Sequence, residues 1–137
     1  MPSVAADSSV LYALFDEDDG WHASALEFLS SNRDELLTNM VVLTEVVYLL
    51  QWSGSKQREF LGFATSLLRI DRETPNDLER IVEIMKKYHD LPASFADAAL
   101  LAMCERTGVD RIATFDRDFD VYRLPNGRAL TNVMSRR

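Results

Sequence analysis

Four acidic residues occupy positions at which carboxylates can do chemistry. Asp7 and Asp116 each follow a short apolar stretch, whereas Glu45 and Asp97 are single charges in otherwise apolar helical segments. A lone carboxylate in apolar surroundings is costly unless it is paired or binds a metal. Carboxylates gathered without counter-charge raise at least one of their pKa values, and a hard divalent cation such as Mg²⁺ or Mn²⁺ removes that cost. Such sites serve phosphoryl and phosphodiester chemistry.

Each acid taken alone also has an ordinary structural interpretation. Asp7 is a good cap for the next helix, and Asp97 is a favourable charge in a first helical turn. Asp116 and Asp118 are common turn residues. The hypothesis of a shared site therefore depends on whether the predicted elements bring these residues together.

Strands and helices alternate along the chain, which predicts a parallel sheet wrapped by helices. Predicted strands cover residues 3–6, 35–38, 68–70 and 111–114, with a last short strand within 130–134. Predicted helices cover residues 10–15, 21–31, 41–52, 55–68, 75–88 and 94–107. The carboxyl ends of parallel strands share one edge, where helices that follow strands also begin, so the four acids should converge there.

Two finer expectations concern the helices. Gly54 is predicted to end the third helix, as glycine often does. Leu78, Ile81, Val82 and Met85 have the spacing of one buried face in the fifth.

Composition limits the function classes. The chain has 137 residues, 47% of them hydrophobic and 27% charged, which is typical of one globular domain. Cys104 is the single cysteine and is predicted to pack in the core; with no signal peptide or membrane span, the expected location is the cytoplasm. The net charge is −7, with nine acidic residues and one basic residue in positions 1–45. Such acidity argues against a polyanionic partner unless some of the acids hold cations.

Four motifs occur in order along the chain. They are Val4-Ala5-Ala6-Asp7-Ser8-Ser9, Thr44-Glu45-Val46-Val47-Tyr48-Leu49-Leu50, Ser94-Phe95-Ala96-Asp97-Ala98 and Thr114-Phe115-Asp116. In this order and spacing they resemble the PIN-domain family, and within it the VapC-like toxin ribonucleases of bacterial type II toxin–antitoxin systems. The resemblance implies an α/β, PIN-like fold with a central, mostly parallel sheet flanked by helices on both sides, formed by a single domain over residues 1–137.

The resemblance also implies a metal-dependent endoribonuclease that hydrolyses RNA with a metal-activated water. Asp7 and Asp97 would be the most direct ligands of a first Mg²⁺ or Mn²⁺, and Glu45 and Asp116 would complete the site directly or through water. Asp118 is an auxiliary candidate, and Arg117 is the candidate for a phosphate contact.

Two protein partners are implied in the same way. One is a cognate antitoxin that inhibits the enzyme, and the other is a second copy of the chain. We expect the homodimer to use aromatic area that exceeds the needs of a small core. The residues expected to supply it are Trp21, Phe28, Trp52 and Phe60.

Two other functions stay open on the residues alone. A non-catalytic PIN-fold binding module would share the fold without the chemistry. A receiver or haloacid-dehalogenase-like phosphotransfer protein also places aspartates at strand ends with Mg²⁺. The phosphatase needs a second Asp where Ser9 stands, and the receiver needs a late-strand lysine, which is missing here.

Overall fold

The computed structural model describes residues 2–134 and contains one five-stranded sheet. Its strands are β1 (Ser3–Ala6), β2 (Glu35–Asn39), β3 (Leu68–Asp71), β4 (Arg111–Ala113) and β5 (Thr131–Asn132). They are arranged in the order β3-β2-β1-β4-β5, and all four pairings are parallel. The α/β sheet predicted from the sequence is therefore confirmed, including its short last strand.

Six α-helices flank the sheet within the described residues. They are α1 (Ser8–Phe15), α2 (His22–Ser31), α3 (Met40–Leu49), α4 (Gly54–Leu67), α5 (Leu78–Lys87) and α6 (Phe95–Thr107). Two 3-10 turns, Thr74–Asp77 and Arg117–Asp120, precede α5 and follow β4. None of the helices in residues 2–134 is both long and apolar enough to span a membrane.

Helix α6 runs through the core, and the residues from Ala96 to Cys104 are all buried. Several of them are alanines, whose small side chains let neighbouring elements approach closely. The helix begins at the cap residue Ser94, and Gly108 ends it with φ of +78°, a backbone conformation that glycine adopts without strain. The predicted core position of Cys104 is confirmed, since the residue is 1% exposed.

Ion pairs attach the carboxyl end of α6 to its surroundings. Arg106 bonds to Asp71 at the end of β3 and to Asp77 in the 3-10 turn before α5. Arg80 of α5 bonds to Glu105 of α6 at 2.7 Å. These contacts join β3, α5 and α6 and so hold the buried helix in place.

Two expectations about the helices are wrong. Gly54 does not end the third helix: α3 ends at Leu49, and Gly54 is the first residue of α4, whose cap Ser53 accepts a hydrogen bond from Lys56 N. Ser53, directly before the glycine, caps the start of α4, so Gly54 begins this helix instead of ending the previous one.

The predicted buried face of α5 is also incorrect. Ile81 and Ile84 are buried, whereas Leu78 and Val82 are about half exposed and Met85 is also exposed. The helix turns a narrower apolar face to α6 than its spacing implied. A second apolar strip, the α5 stripe (Leu78, Val82 and Met85), is left on the surface.

Candidate active site

The predicted acids lie at the point where the sheet order reverses. Strand β1 is central, with β2 on one side and β4 on the other. Ligands of open α/β sheets bind at such a switch point, at the carboxyl ends of the strands. Asp7 follows β1 directly and its backbone N–H bonds to the carbonyl of Ala113 in β4 at 3.1 Å. The backbone itself therefore joins the first and fourth acidic motifs.

Asp7 is 2% exposed and is held by two hydroxyl groups. Its Oδ2 accepts hydrogen bonds from Thr114 Oγ1 at 2.6 Å and from Ser9 Oγ at 2.8 Å. Both hydroxyls also accept a hydrogen bond from the backbone. The Thr114 hydroxyl accepts from Asp116 N, and the Ser9 hydroxyl accepts from Phe115 N. Burial raises the pKa of Asp7 above its ordinary value, and the two hydroxyl hydrogen bonds oppose this rise.

Asp97 lies in the first turn of α6, whose cap Ser94 accepts a hydrogen bond from Asp97 N at 3.0 Å. Its side chain is 8% exposed, and its Oδ2 accepts from Tyr122 Oη at 2.9 Å. Burial raises the pKa of Asp97 to about 7, and the negative charge of Asp7 acts in the same direction. The ionised form of Asp97 is therefore disfavoured in the metal-free protein, and a nearby cation would relieve this penalty.

Three carboxylates form the closest acidic group in the described residues. Carboxylate oxygens of Asp97, Asp116 and Asp118 all lie within 4.8 Å of one another. Asp116 caps the 3-10 turn by accepting from Asp118 N at 2.9 Å, and this turn carries both acids towards α6. Burial, and then the charge of Asp116, raise the pKa of Asp118. Asp118, expected only as an auxiliary residue, thus belongs to the same close group as Asp97 and Asp116.

Glu45 reaches the site from α3. It is half-buried and accepts a hydrogen bond from Ser8 Oγ at the start of α1. Its charge contributes to the raised pKa of Asp97, as does that of Asp116. The carboxylate therefore faces the other acids, although it lies outside the group of three.

Within the described residues the side chain of Arg117 has no partner, unlike those of Arg111 and Arg123. It is exposed, and within residues 2–134 no hydrogen bond or ion pair engages its side chain. By contrast, Arg111 bonds to Asp34 at 2.7 Å, and Arg123 bonds to the carbonyl oxygen of Asp120. The side chain of Arg117 is free to meet an anion beside Asp116 and Asp118.

Sequence reasoning missed the side chains that position the acids. Ser9 and Thr114 belong to the quoted motifs, but only the structure shows both bonded to Asp7. The sequence contains no signal for the contact of Tyr122 with Asp97, because 25 residues separate them. That contact requires the turn after β4 to fold back onto α6.

The donor set fits a hard divalent cation. All the facing groups are carboxylates, and Mg²⁺ and Mn²⁺ prefer oxygen ligands. In the folded chain oxygens of three carboxylates lie within 4.8 Å of one another, and burial and neighbouring charge penalise the ionisation of two of them, Asp97 and Asp118. A bound cation would remove both penalties at once, which a purely structural role of the acids would not do.

Comparison with known proteins agrees with this arrangement. A PIN domain family model matches residues 4–124. Ribonuclease VapC26 of Mycobacterium tuberculosis is 30% identical over 117 residues, covering 81% of this chain and 84% of the relative. The crystal structure of VapC20 of Mycobacterium tuberculosis, a toxin that cleaves the sarcin–ricin loop, superposes with a TM-score of 0.80 and 23% identity over 86% of this chain and 93% of that one. The chain belongs to the PIN domain family and resembles its VapC members.

Proposed function

We propose that this protein is a metal-dependent endoribonuclease of the VapC type. The observation that carries the proposal is the approach of Asp97, Asp116 and Asp118 to within 4.8 Å beside the buried Asp7. The 30% identity to a ribonuclease covers most of both chains and supports the same activity. The PIN family match over residues 4–124 and the identity to a ribonuclease favour the nuclease over the receiver or phosphatase alternative.

In this proposal Asp7, Asp97 and Asp116 are the cation ligands, and Asp118 joins them as a fourth. Glu45 completes the site from α3, where Ser8 holds its carboxylate. Mg²⁺ or Mn²⁺, when bound, would lower the pKa of a water molecule and neutralise charge on the phosphodiester. The chain supplies the fixed positions of these carboxylates through the hydroxyls of Ser9 and Thr114 and the turn at residues 117–120.

Arg117 is an exposed cation directly beside Asp116 in the sequence. We propose that its exposed guanidinium contacts a phosphate of the RNA next to the cleaved bond. A guanidinium binds phosphate through several N–H groups at once. The expected readout of this contact is RNA binding rather than metal binding.

The proposed partners are an inhibiting antitoxin and a second copy of the chain, both inferred from the family.

For the dimer, the structure changes which of the four expected aromatic residues are available to an interface. Phe60 is fully buried and packs edge-on against Phe15, so its assignment to an interface is wrong. Phe28 is half-buried against the core, and Trp21 stacks on Phe115 at 4.7 Å. Trp52 is exposed and stays a candidate.

We propose that the α5 stripe also contributes to the dimer. In an antiparallel pair of α5 helices centred on Val82, the apolar residues of one copy would meet those of the other. Glu79 would then flank Lys86 of the second copy, and the reciprocal pair would form by symmetry.

A cytoplasmic location stays a prediction.

The test of the proposed function is cleavage of a fluorescent single-stranded RNA. We expect cleavage with Mn²⁺ or Mg²⁺, none in EDTA, and products that carry a 5′-phosphate. Asp116→Asn should lower the rate by about a hundredfold or more, comparable to the loss of a preorganised transition-state contact. The matched control is Asp90→Asn, since Asp90 is exposed in a loop.

Each outcome decides between the candidate functions. Equal cleavage by wild type and Asp116→Asn would contradict the assignment of the site. RNA binding without cleavage, in the presence of either cation, would identify a non-catalytic binding module instead.

A further inference from the structure

Tyr122 lies outside all four acidic motifs but touches the acidic group. Its ring is 1% exposed and packs edge-on against Phe119 and Tyr88, with centroids 5.0 Å apart in each case. Its hydroxyl is the polar end of an otherwise apolar side chain. That hydroxyl donates to Asp97 Oδ2 at 2.9 Å. The hydroxyl of a buried tyrosine usually forms a hydrogen bond with a partner.

The backbone of the same residue is bonded to another acid. Tyr122 N donates to the carbonyl oxygen of Asp118 at 3.2 Å. Asp118 and Asp116 stand on the turn after β4, whereas Asp97 stands on α6. Tyr122 is therefore bonded at one end to the turn and at the other to α6, and it spans the two elements whose carboxylates must meet.

We propose that Tyr122 is a positioning residue for the cation site. Its hydroxyl bonds to one oxygen of Asp97 and so fixes the rotation of this carboxylate, an oxygen of which lies within 4.8 Å of carboxylate oxygens of Asp116 and Asp118. The proposal rests on the proposed metal site, and it adds a residue that holds the ligand without being a ligand. Residues that orient metal ligands by hydrogen bonding commonly change metal affinity or activity by about 10–100-fold when they are removed.

The chain contains a matched control. Tyr88 packs against the ring of Tyr122, and its hydroxyl accepts a hydrogen bond from Arg123 N at 2.8 Å. Tyr88→Phe removes a hydroxyl from the same aromatic cluster but leaves Asp97 untouched. Tyr122→Phe removes the hydroxyl that donates a hydrogen bond to Asp97 and keeps the packed ring.

The experiment measures the affinity of the free protein for Mn²⁺ without RNA, by electron paramagnetic resonance of unbound Mn²⁺. We expect Tyr122→Phe to raise the Kd about tenfold or more and Tyr88→Phe to leave it unchanged. In cleavage assays at saturating Mn²⁺, Tyr122→Phe should lower kcat and leave KM for RNA close to that of the wild type. Circular dichroism and thermal melting of both variants establish that they are folded at the assay temperature.

The outcomes separate this inference from the proposed function. A wild type that binds no Mn²⁺ would contradict the metal site itself. A wild type that binds Mn²⁺ while Tyr122→Phe binds it equally well would overturn only the role of Tyr122. An equal loss of affinity in Tyr88→Phe would also overturn it, because packing of the cluster, rather than the hydroxyl bond, would then be the cause. Should Tyr122→Phe melt below the assay temperature, the Kd values of all three proteins are measured at a lower temperature at which circular dichroism shows the variant folded, under the same criteria.

Discussion

Replacement of Asp97 by asparagine should stabilise the metal-free protein at neutral and alkaline pH. The Asp97 side chain is 8% exposed, and burial together with the charge of Asp7 raises its pKa from 3.8 to about 7. Asparagine has nearly the same shape, and its amide oxygen still accepts a hydrogen bond from Tyr122. The substitution therefore removes mainly the charge, which is the unfavourable part of the residue when no cation is present.

The expected magnitude follows from the protons bound by the folded and unfolded states. Between pH 3.8 and about pH 7 the folded protein holds a proton on Asp97 that the unfolded chain has released. The free energy of unfolding therefore falls as the pH rises, by about 1.4 kcal/mol per pH unit. Over a window of roughly three units the total is about 4 kcal/mol, absent below the unfolded pKa and complete above the folded one. The amide that replaces this carboxyl group does not titrate, so the free energy of unfolding of the variant does not fall in this way as the pH rises.

The measurement is urea denaturation in EDTA, followed by circular dichroism, at several values between about pH 4 and about pH 8. Asp97→Asn should match the wild type at the acidic end and exceed its free energy of unfolding by about 4 kcal/mol at the alkaline end. Asp90→Asn is the control, because the Asp90 side chain is 92% exposed and pairs only with the exposed His89, a surface contact that should change the pH dependence little.

Added Mn²⁺ should reverse the order of stability. At a hundredfold excess over its Kd, a cation that binds only the folded state adds about 2.7 kcal/mol, and a larger excess adds more. Wild type and Asp90→Asn should both gain this, and Asp97→Asn should gain little because a ligand is missing. At neutral pH the loss of about 4 kcal/mol is already nearly complete, so the order reverses only when Mn²⁺ exceeds its Kd by more than roughly a thousandfold, where binding adds about 4.1 kcal/mol. Parallel stability curves for wild type and Asp97→Asn in EDTA would refute the reasoning, since they would mean that Asp97 titrates as an ordinary exposed carboxyl group.

Two further predictions concern the surface. Val82→Glu, which places a charge in the middle of the α5 stripe, should shift the sedimentation of the protein towards the monomer while its circular dichroism stays unchanged. Glu79→Gln is a milder variant of the same helix. A wild type that is monomeric at micromolar concentration would contradict the dimer. Arg117→Ala should raise KM for RNA several-fold and leave Mn²⁺ affinity unaltered, because a guanidinium contributes phosphate binding and no metal ligand; an unchanged KM would show that Arg117 does not contact the substrate.

The order of elements and the position of the main acids were predictable from the sequence alone. Alternating short apolar strands and helices indicated a parallel sheet, and Asp7 and Asp116 stood directly after strands. The side-chain periods of strands and helices and the shared edge of parallel strands are local rules, so they act before any tertiary contact is known. The predicted helix over residues 94–107 matches α6 closely for the same reason, since the caps that bound it depend on neighbours within a few residues.

Only the tertiary structure decided which apolar faces are covered. Spacing marked Leu78, Val82 and Met85 as buried, yet α6 covers only the side of α5 that carries Ile81 and Ile84. Phe60 was expected on the surface and is fully buried. Periodicity identifies an apolar face, but the width of the partner that packs on it is set by residues far along the chain.

The fine geometry of the site also required the fold. The sequence named Asp97 and Asp116 but gave Asp118 only an auxiliary place, and it held no sign of Tyr122. The distances among these side chains depend on how the turn at residues 117–120 folds back onto the first turn of α6. Such a contact joins segments that are distant in sequence, and it is decided by packing and by the hydrogen bond from a buried hydroxyl to a buried carboxylate.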